Sequence, residues 1–291
     1  MKIGLITTLP GLIEIKRIEE EVKKRGDSFQ LIDLSGFGYL INNKTPQIFG
    51  LEESGDLDLV IVRGIFNAIK PISTYVNHLR THGVKIFDNN LLATKSSIDK
   101  VSDILKLSLA GVSVPPTLYC RSSTDLKLKA DNIGFPLVIK STRSGKGANI
   151  FKTDNKAELK DIINELESTG KNTKSYLVQK FIDYKYDLRC LVIGEQVFTM
   201  RRIPPKGDFR ANYSIGGTVE NFEIDESTKE LVERAIKAVD LEVGGVDVLI
   251  DQKGQKYILE VNHTAGFVGM EQALKKNIGE IYLEHAIVNA K

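Results

Sequence analysis

The sequence of 291 residues predicts an α/β and α+β protein, in which a small parallel α/β unit precedes a larger part rich in antiparallel strands. Three observations support this. Short apolar segments alternate with helical patterns up to about residue 90, which is typical of a parallel sheet with helices on both faces. Between residues 176 and 203, strand patterns follow one another with short connections, and residues 244–266 have the pattern of a hairpin.

The composition is that of an ordinary globular protein, with 42% hydrophobic and 27% charged residues. The formal net charge of +2 favours neither nucleic acid nor a membrane surface as partner. Cys120 and Cys190 lie far apart without metal-ligand spacing, which is typical of reduced thiols. The apolar runs are too short for a signal peptide or a membrane span. We therefore expect a cytoplasmic protein with no membrane partner and no direct nucleic-acid partner.

The alternating part, residues 1–90, contains four predicted strands and two predicted helices. The strands are at Lys2–Thr7, Phe29–Leu34, Leu57–Arg63 and Val84–Phe87, and the helices are at Gly11–Arg25 and Pro71–His82. A polar loop is expected between the second and third strands. Ligands of parallel sheets bind beyond the carboxyl ends of the strands, where Arg63 falls. Arg63 is therefore either a substrate anchor or a solvated loop arginine.

After Asn90 helices and strands no longer alternate. The predicted helices are at Ala93–Ala110, Ser123–Asn132, Lys156–Glu167 and Ser227–Leu241, and the predicted strands are at Phe135–Lys140, Tyr176–Ile182, Asp187–Ile193 and Gln196–Ile203. Ser227 is expected to be the N-cap of the last helix, because Glu230 follows three residues later. Residues 206–217 are too polar and glycine-rich for a regular element, which indicates a long functional loop.

A basic loop with two glycines, Ser141–Gly147, follows the strand that ends at Lys140. Gly145 and Gly147 allow the backbone to come close to a ligand, and Lys140 and Lys146 supply charge, so the loop can surround phosphate oxygens. It is not a Walker loop, because the required spacing and the Gly-Lys-Ser or Gly-Lys-Thr ending are absent. The same composition also describes an exposed hairpin tip.

The hairpin at 244–266 has a polar turn at Asp251–Gly254. Glu260 and Asn262 are two residues apart in one strand and share a face. If Asp251 pairs with Lys256, Asp247 lies opposite Glu260. Two carboxylates and an amide on one face are hard oxygen ligands that suit Mg²⁺ brought in with the phosphates of a nucleotide. The alternative is a solvent-facing edge with ordinary surface acids.

Six motifs in order resemble the ATP-grasp superfamily and, within it, the RimK-like carboxylate–amine ligases. They are Pro136–Lys140 with its glycine loop, Gln179–Ile182, Asp187–Val192, Gly207–Asn212 with Gly216 and Gly217, Gly245–Leu249, and Glu260–Asn262. The resemblance implies a pre-ATP-grasp domain at 1–90 and an ATP-grasp domain at 91–291, with a small lobe at 112–180 and a large lobe at 181–291. It also implies ATP and Mg²⁺ as cofactors, with two ions expected and Mn²⁺ as an alternative, and a homo-oligomer.

The resemblance also implies roles for individual residues. The nucleotide-binding residues are Lys100, Lys140, Gly145, Gly147, Gln179, Lys180, Phe181, Asp187, Arg210, Ala211 and Asn212; the catalytic residues are Arg202, Arg210 and Asn212; the metal ligands are Asp247, Glu260 and Asn262. Lys180 and Phe181 match the strand linker that binds adenine, and Asp187 matches an acid at the ribose. Lys180 stands where the family has an acid, which leaves backbone bonds from the linker to adenine possible.

The activity that the resemblance implies is amide formation. ATP phosphorylates a carboxylate to an acylphosphate, and an amine then attacks it. Arg201, Arg202 and Arg210 cluster in sequence around a long loop, and the resemblance implies that this region lies near acidic donor and acceptor groups. Glutamate or a glutamate-ended chain is therefore the expected substrate, since guanidinium groups hold carboxylates in a bidentate manner. Some of these arginines could instead serve the ATP phosphates, and Arg201 or Arg202 could only cover a strand end.

The acceptor is expected to be a protein, a peptide or a cofactor. His263 and Thr264 after Asn262 are similar to the Asn-His-Thr of the LysX-like ligases, which act on a carrier protein or an amino-acid precursor. His263 could contact substrate or hydrogen-bond a neighbouring carbonyl. Further alternatives are a carboxylate–thiol ligase, a macrocycle-forming ligase that modifies a peptide, and a nucleotide-binding module without turnover.

Overall fold

The computed structural model describes residues 1–42, 45–49, 56–65, 69–88, 99–142, 150–170, 175–205 and 218–291. The helices in these ranges are α1 (Ile13–Lys24), α2 (Ile69–Thr81), α3 (Lys100–Leu109), α4 (Ser123–Lys129), α5 (Lys156–Ser168), α6 (Glu226–Ala238), α7 (Val268–Leu274) and α8 (Ile278–Asn289). The strands are β1 (Lys2–Thr7), β2 (Ser28–Asp33), β3 (Gly38–Asn42), β4 (Thr45–Phe49), β5 (Leu59–Val62), β6 (Lys85–Asp88), β7 (Thr117–Leu118), β8 (Leu137–Ser141), β9 (Ile150–Thr153), β10 (Tyr176–Lys180), β11 (Tyr184–Ile193), β12 (Gln196–Ile203), β13 (Thr218–Asn221), β14 (Val243–Asp251) and β15 (Lys256–Asn262).

The first sheet has the order β2-β1-β5-β6 and is parallel throughout, as the alternating pattern predicts. Its central strands are almost entirely apolar because both of their faces are covered: Leu5, Leu59 and Ile61 have no exposed surface. The loop predicted after β2 contains a separate two-stranded sheet of β3 and β4. The sequence analysis missed this hairpin because Pro46 and several polar residues interrupt its apolar pattern.

The second sheet has the order β7-β10-β8-β9 and is antiparallel. One face packs on α4 and α5, where Leu126, Ile139, Ile163 and Val178 form a core. The predicted elements of this part are confirmed, with α4 continuing into a short 3₁₀ turn at Ala130–Asn132. The other face carries Val138 and Lys140 of β8 and Leu177 and Gln179 of β10.

The third sheet has the order β13-β12-β11-β14-β15 and is also antiparallel. Leu188 and Val192 of β11 face a core shared with α6. Leu191 and Ile193 point the opposite way, into a core that includes α1, α7, α8 and residues of β1 and β5. The N-terminal sheet and the third sheet therefore share one hydrophobic core.

The N-caps of α3 and α6 are aspartates that the sequence pattern did not predict as caps. Asp99 caps α3 by accepting from Val101 N at 2.9 Å and Ser102 N at 3.0 Å, so this helix begins at Lys100. Residues 93–98 of the helix predicted at Ala93–Ala110 lie outside the described residues. Asp225, not Ser227, caps α6 by accepting from Thr228 N at 2.8 Å. Aspartate is as good an N-cap as serine. Asp99 and Asp225 are each the residue directly before the first residue of the helix.

Cys120 and Cys190 are both free thiols. Within the described ranges, no helix is both long enough and apolar enough to cross a membrane.

Candidate nucleotide and metal site

The hairpin of β14 and β15 places Asp247 directly opposite Glu260, as predicted. The ladder next to the turn differs from the predicted one, because Ile250 rather than Asp251 pairs with Lys256. A bulge after Val248 and Ile258 then inserts Leu259 and restores the predicted pairing. The bulge brings the Glu260 carboxylate onto the face that carries Asp247.

Two arginines of the neighbouring strands hold Asp247 from the same face. Arg189 on β11 lies opposite Asp247 in the ladder, and its Nε is 2.9 Å from Asp247 Oδ1. Arg202 on β12 lies opposite Asp187, and its Nε is 2.5 Å from Asp187 Oδ1. Arg202 Nη2 is also 3.1 Å from Asp247 Oδ2. Arg202 therefore connects two buried carboxylates.

This arrangement places Asp187 and Arg202 deep inside the sheet. Their side chains are each 5% exposed. Burial disfavours a charged guanidinium, but Asp247 and Asp187 outweigh it and hold the pKa of Arg202 above its ordinary value. Asp187 contacts Arg202, and a role for this acid at the ribose stays a prediction.

Lys140 reaches the site from the second sheet. It is 8% exposed, and its Nζ donates to Gln179 Oε1 at 2.7 Å. Gln179 Nε2 in turn donates to Thr117 Oγ1 at 2.9 Å, so a chain of polar side chains fixes the lysine. Burial lowers the pKa of Lys140 to about 8, against the attraction of Glu260. A nearby anion, such as a phosphate, would restore the charged form.

Lys100, the first residue of α3, approaches Glu260. Its Nζ lies 3.5 Å from Glu260 Oε2. Burial alone would raise the pKa of Glu260, but Lys100, Arg189 and Lys140 outweigh it, and the pKa lies below its ordinary value. Glu260 is therefore ionised at neutral pH, as a metal ligand must be.

The side chains of Asp247, Glu260 and Asn262 fit a Mg²⁺ ion. Gly245 lies opposite Asn262 in the ladder, two residues from Asp247, so all three side chains are on one face. Asn262 would bind the ion through its carbonyl oxygen Oδ1, because the buried Nδ2 is an N–H donor and cannot coordinate a cation. Within the described part of the chain, no group of three or more His, Cys, Asp or Glu is arranged to hold a metal ion.

The predicted adenine linker follows β10. The backbone N–H of Lys180 donates to Pro116 O at 2.8 Å, and that of Phe181 donates to Pro136 O at 3.1 Å. These two N–H groups are used within the protein, so any bond from these residues to adenine would come from their carbonyls. Lys180 Nζ donates to the carbonyls of Gly134 and Phe135 at 3.1 and 2.7 Å.

The two remaining arginine predictions have different outcomes. Arg201 pairs with Glu220 at 2.7 Å and packs over the rings of Tyr186 and Phe222, so it covers the end of the strand. Arg63 is neither a solvated loop residue nor open to substrate, because it is only 3% exposed. Its Nη2 donates to Ala265 O at 2.5 Å.

His263 lies beside α3, with its Nε2 at 2.9 Å from Asp103 Oδ2.

The predicted site residues Gly145, Gly147, Arg210, Ala211 and Asn212 lie outside the described residues, as does Lys146. Their roles stay predictions.

Arg189 is the site residue that the sequence analysis missed. It is two residues from Asp187, so the two side chains share a face of β11. This spacing of two residues was the sequence feature that could have identified Arg189 as a site residue. Its pairing with Asp247 depends on the register between β11 and β14, which no local pattern specifies.

Comparison with known proteins agrees with this geometry. The model of the RimK-like ATP-grasp domain matches residues 97–285. A protein of Shewanella baltica named probable alpha-L-glutamate ligase 1 is 30% identical over 291 residues, which are 98% of this chain and 95% of the relative. The chain therefore belongs to the RimK-like ATP-grasp family. Its class is that of the ATP-dependent carboxylate–amine ligases.

Solved structures share the fold. The D-alanine–D-alanine ligase of Bacillus anthracis, complexed with ATP, has a TM-score of 0.73 and 19% identity over 99% of this chain and 96% of the ligase. The ATP-grasp ligase PsnB, complexed with a minimal precursor, Mg and ADP, has a TM-score of 0.69 and 19% identity over 99% of this chain and 96% of PsnB. The predicted fold class is confirmed.

Proposed function

We propose that this ligase adds glutamate to an acceptor that ends in a carboxylate, which is a peptide, a protein or a cofactor. Its cofactors are ATP and Mg²⁺. The proposal is supported by the balance of positive and negative side chains around Asp247 and Glu260. Arg189, Arg202, Lys100 and Lys140 face three carboxylates there, so the described site has an excess of one positive charge. Such an excess favours polyphosphate and carboxylate ligands.

The proposed reaction has two steps. The acceptor carboxylate attacks the γ-phosphorus of ATP, which releases ADP and forms an acylphosphate. The amine of glutamate then attacks the acyl carbon, phosphate leaves, and an amide forms. Phosphoryl transfer is catalysed mainly by positioning and by charge stabilisation, so neither a catalytic triad nor an activated cysteine is required.

Lys140, which is proposed to bind phosphate, lies on the second sheet, and the residues proposed to bind Mg²⁺ lie on the third. Lys140 is held by Gln179 and carries its charge toward the third sheet, where it can hold a phosphate oxygen. Asp247, Glu260 and Asn262 would hold Mg²⁺, which supplies a Lewis acid that neutralises charge on the transferred phosphoryl group. Arg189 and Arg202 hold the Asp247 carboxylate in its orientation.

The choice of glutamate rests on relatives of the whole chain that are named probable alpha-L-glutamate ligases, at 29 and 30% identity. It does not rest on Arg201 or Arg202, because the structure pairs both with protein carboxylates. The arginine that remains for an acidic substrate is Arg210 of the long loop.

The test measures ADP formation with glutamate and with glutamine, each combined with a glutamate-ended peptide and with the same peptide amidated at its C-terminus. We expect turnover only with glutamate and the free carboxylate, and a peptide heavier by one glutamate residue in the mass spectrum. Equal rates with glutamine would exclude the assignment of glutamate. Turnover with a carrier protein but with no short peptide would indicate a LysX-like acceptor, and a product lighter by one water would indicate a macrocycle.

A further inference from the structure

The buried arginine of the N-terminal sheet, Arg63, reaches across to the chain that follows the candidate metal ligands. It comes directly after β5, and its Nη2 donates to Ala265 O at 2.5 Å. The guanidinium carbon lies 5.2 Å from the ring centre of Tyr282 and 5.6 Å from that of Phe267. Phe267 and Tyr282 stack on each other with ring centres 5.9 Å apart, and the guanidinium lies beside this pair. A planar cation that contacts two rings and a carbonyl is held in one orientation.

Ala265 in turn packs against the metal-ligand strands. A Cβ added at Gly245 would lie 2.8 Å from Ala265 Cβ, 3.6 Å from Asn262 Cβ and 2.9 Å from Arg189 Nη1. Gly245 is therefore the point where Ala265, Asn262 and Arg189 meet. A displacement of Ala265 would be transmitted to Asn262 and, through Arg189, to Asp247.

A second residue of the N-terminal unit holds the same segment. Glu14, which is 8% exposed in the first turn of α1, accepts from Phe267 N at 3.2 Å. A Cβ at Gly266 would lie 2.8 Å from Glu14 Oε1, so glycine permits this close approach. Residues 265–267 are thus bonded to the N-terminal unit on both sides of Gly266.

We propose that Arg63, supported by Glu14, is a positioning residue that sets the place of Asn262 and Asp247 by fixing residues 265–267. The N-terminal unit is therefore part of the metal site, although it contributes no ligand. This inference rests on the proposed binding of Mg²⁺ and nucleotide by Asp247, Glu260 and Asn262.

The test compares Arg63→Met and Arg63→Lys with the wild type, and Arg80→Met on the exposed surface of α2 is the matched control. Two titrations are made by calorimetry on the full chain: ADP in the presence of EDTA, and Mg²⁺ into the protein saturated with ADP. We expect both Arg63 variants to bind ADP without metal as the wild type does, and to bind Mg²⁺ at least about tenfold more weakly, as for other residues that orient metal ligands. Lysine should not restore binding, because an ammonium group has no planar surface that can pack on the two rings while it donates to Ala265 O.

A residue with a merely structural role would lower the melting temperature and leave the Mg²⁺ affinity of the folded protein unchanged. That result in a folded Arg63 variant would overturn the inference. If Arg63→Met does not fold, Arg63→Lys decides between the same two outcomes. A wild type that binds ADP but shows no Mg²⁺ binding would instead overturn the proposed metal site. Glu14→Gln, which keeps the acceptor oxygen, should behave as the wild type, whereas Glu14→Ala should weaken Mg²⁺ binding in the same direction as the Arg63 variants.

Discussion

Neutralising the two carboxylates of the hairpin should have the same effect on ligation and different effects on stability. We expect Glu260→Gln and Asp247→Asn each to lower turnover by at least about a hundredfold, because losing a group that stabilises the transition state costs about 3 kcal/mol. The environments of the two side chains differ, and this difference separates the stabilities of the variants.

The side chain of Asp247 is 6% exposed and lies between two arginines at 2.9 and 3.1 Å. Removing one partner from a buried ion pair costs about 3 to 5 kcal/mol, so Asp247→Asn should lower the free energy of unfolding by an amount of this order. The side chain of Glu260 is 26% exposed, and Lys100 lies 3.5 Å away. The contacts of this partly exposed carboxylate should contribute less than those of the buried Asp247, so Glu260→Gln should lower the free energy of unfolding by less than Asp247→Asn does.

The assays are ADP formation at saturating Mg²⁺ and urea unfolding followed by circular dichroism. Glu220→Gln is the matched control, since Glu220 pairs with Arg201 at 2.7 Å on the same sheet, away from the hairpin. It should change neither turnover nor stability by a large amount. Wild-type turnover in Glu260→Gln, or equal stability in Glu260→Gln and Asp247→Asn, would refute the reasoning.

Three further predictions concern single side chains. Lys140→Met should weaken ATP binding in calorimetry. The free energy of unfolding of the wild type should also rise relative to that of this variant between pH 8 and 10.5. The reason is that the folded state releases the Lys140 proton at a pKa of about 8, while the unfolded chain keeps it up to about 10.5. Arg202→Lys should lower kcat and leave the KM for glutamate unchanged, since the guanidinium bridges Asp187 and Asp247 and does not contact substrate. A rise in the KM for glutamate with an unchanged kcat would contradict this. Asp225→Ala should lower the unfolding free energy by about 1 kcal/mol through the lost cap of α6 and leave turnover unchanged, and a loss of activity in the folded variant would show that α6 has a second role.

The sequence predicted those parts of the fold and of the site that depend on local periodicity. The strand β1 follows from a short apolar run that is buried on both faces, and the shared face of Glu260 and Asn262 follows from a spacing of two residues. Contacts that depend on how distant elements pack were not predicted. Arg63 and Ala265 are 202 residues apart, and no local pattern indicates that an arginine at the end of β5 will be buried against the carbonyl of the segment after β15. Arg189 was missed for the same reason, because its role depends on the register of two strands.

The pairing of Asp247 with Glu260 shows how local reasoning can reach a correct contact by an incorrect route. The predicted turn had four residues and a regular ladder, whereas the observed pairing starts at Ile250, one residue earlier. In a regular ladder that start would place Asp247 opposite Leu259 and turn Glu260 toward the other face of the sheet. The bulge at Leu259 reverses this shift. Leucine at this position has the pattern of any strand residue, so the bulge could not be predicted from the sequence. Bulges re-aim side chains, and the one at Leu259 brings the Glu260 carboxylate to the face of the sheet that carries Asp247.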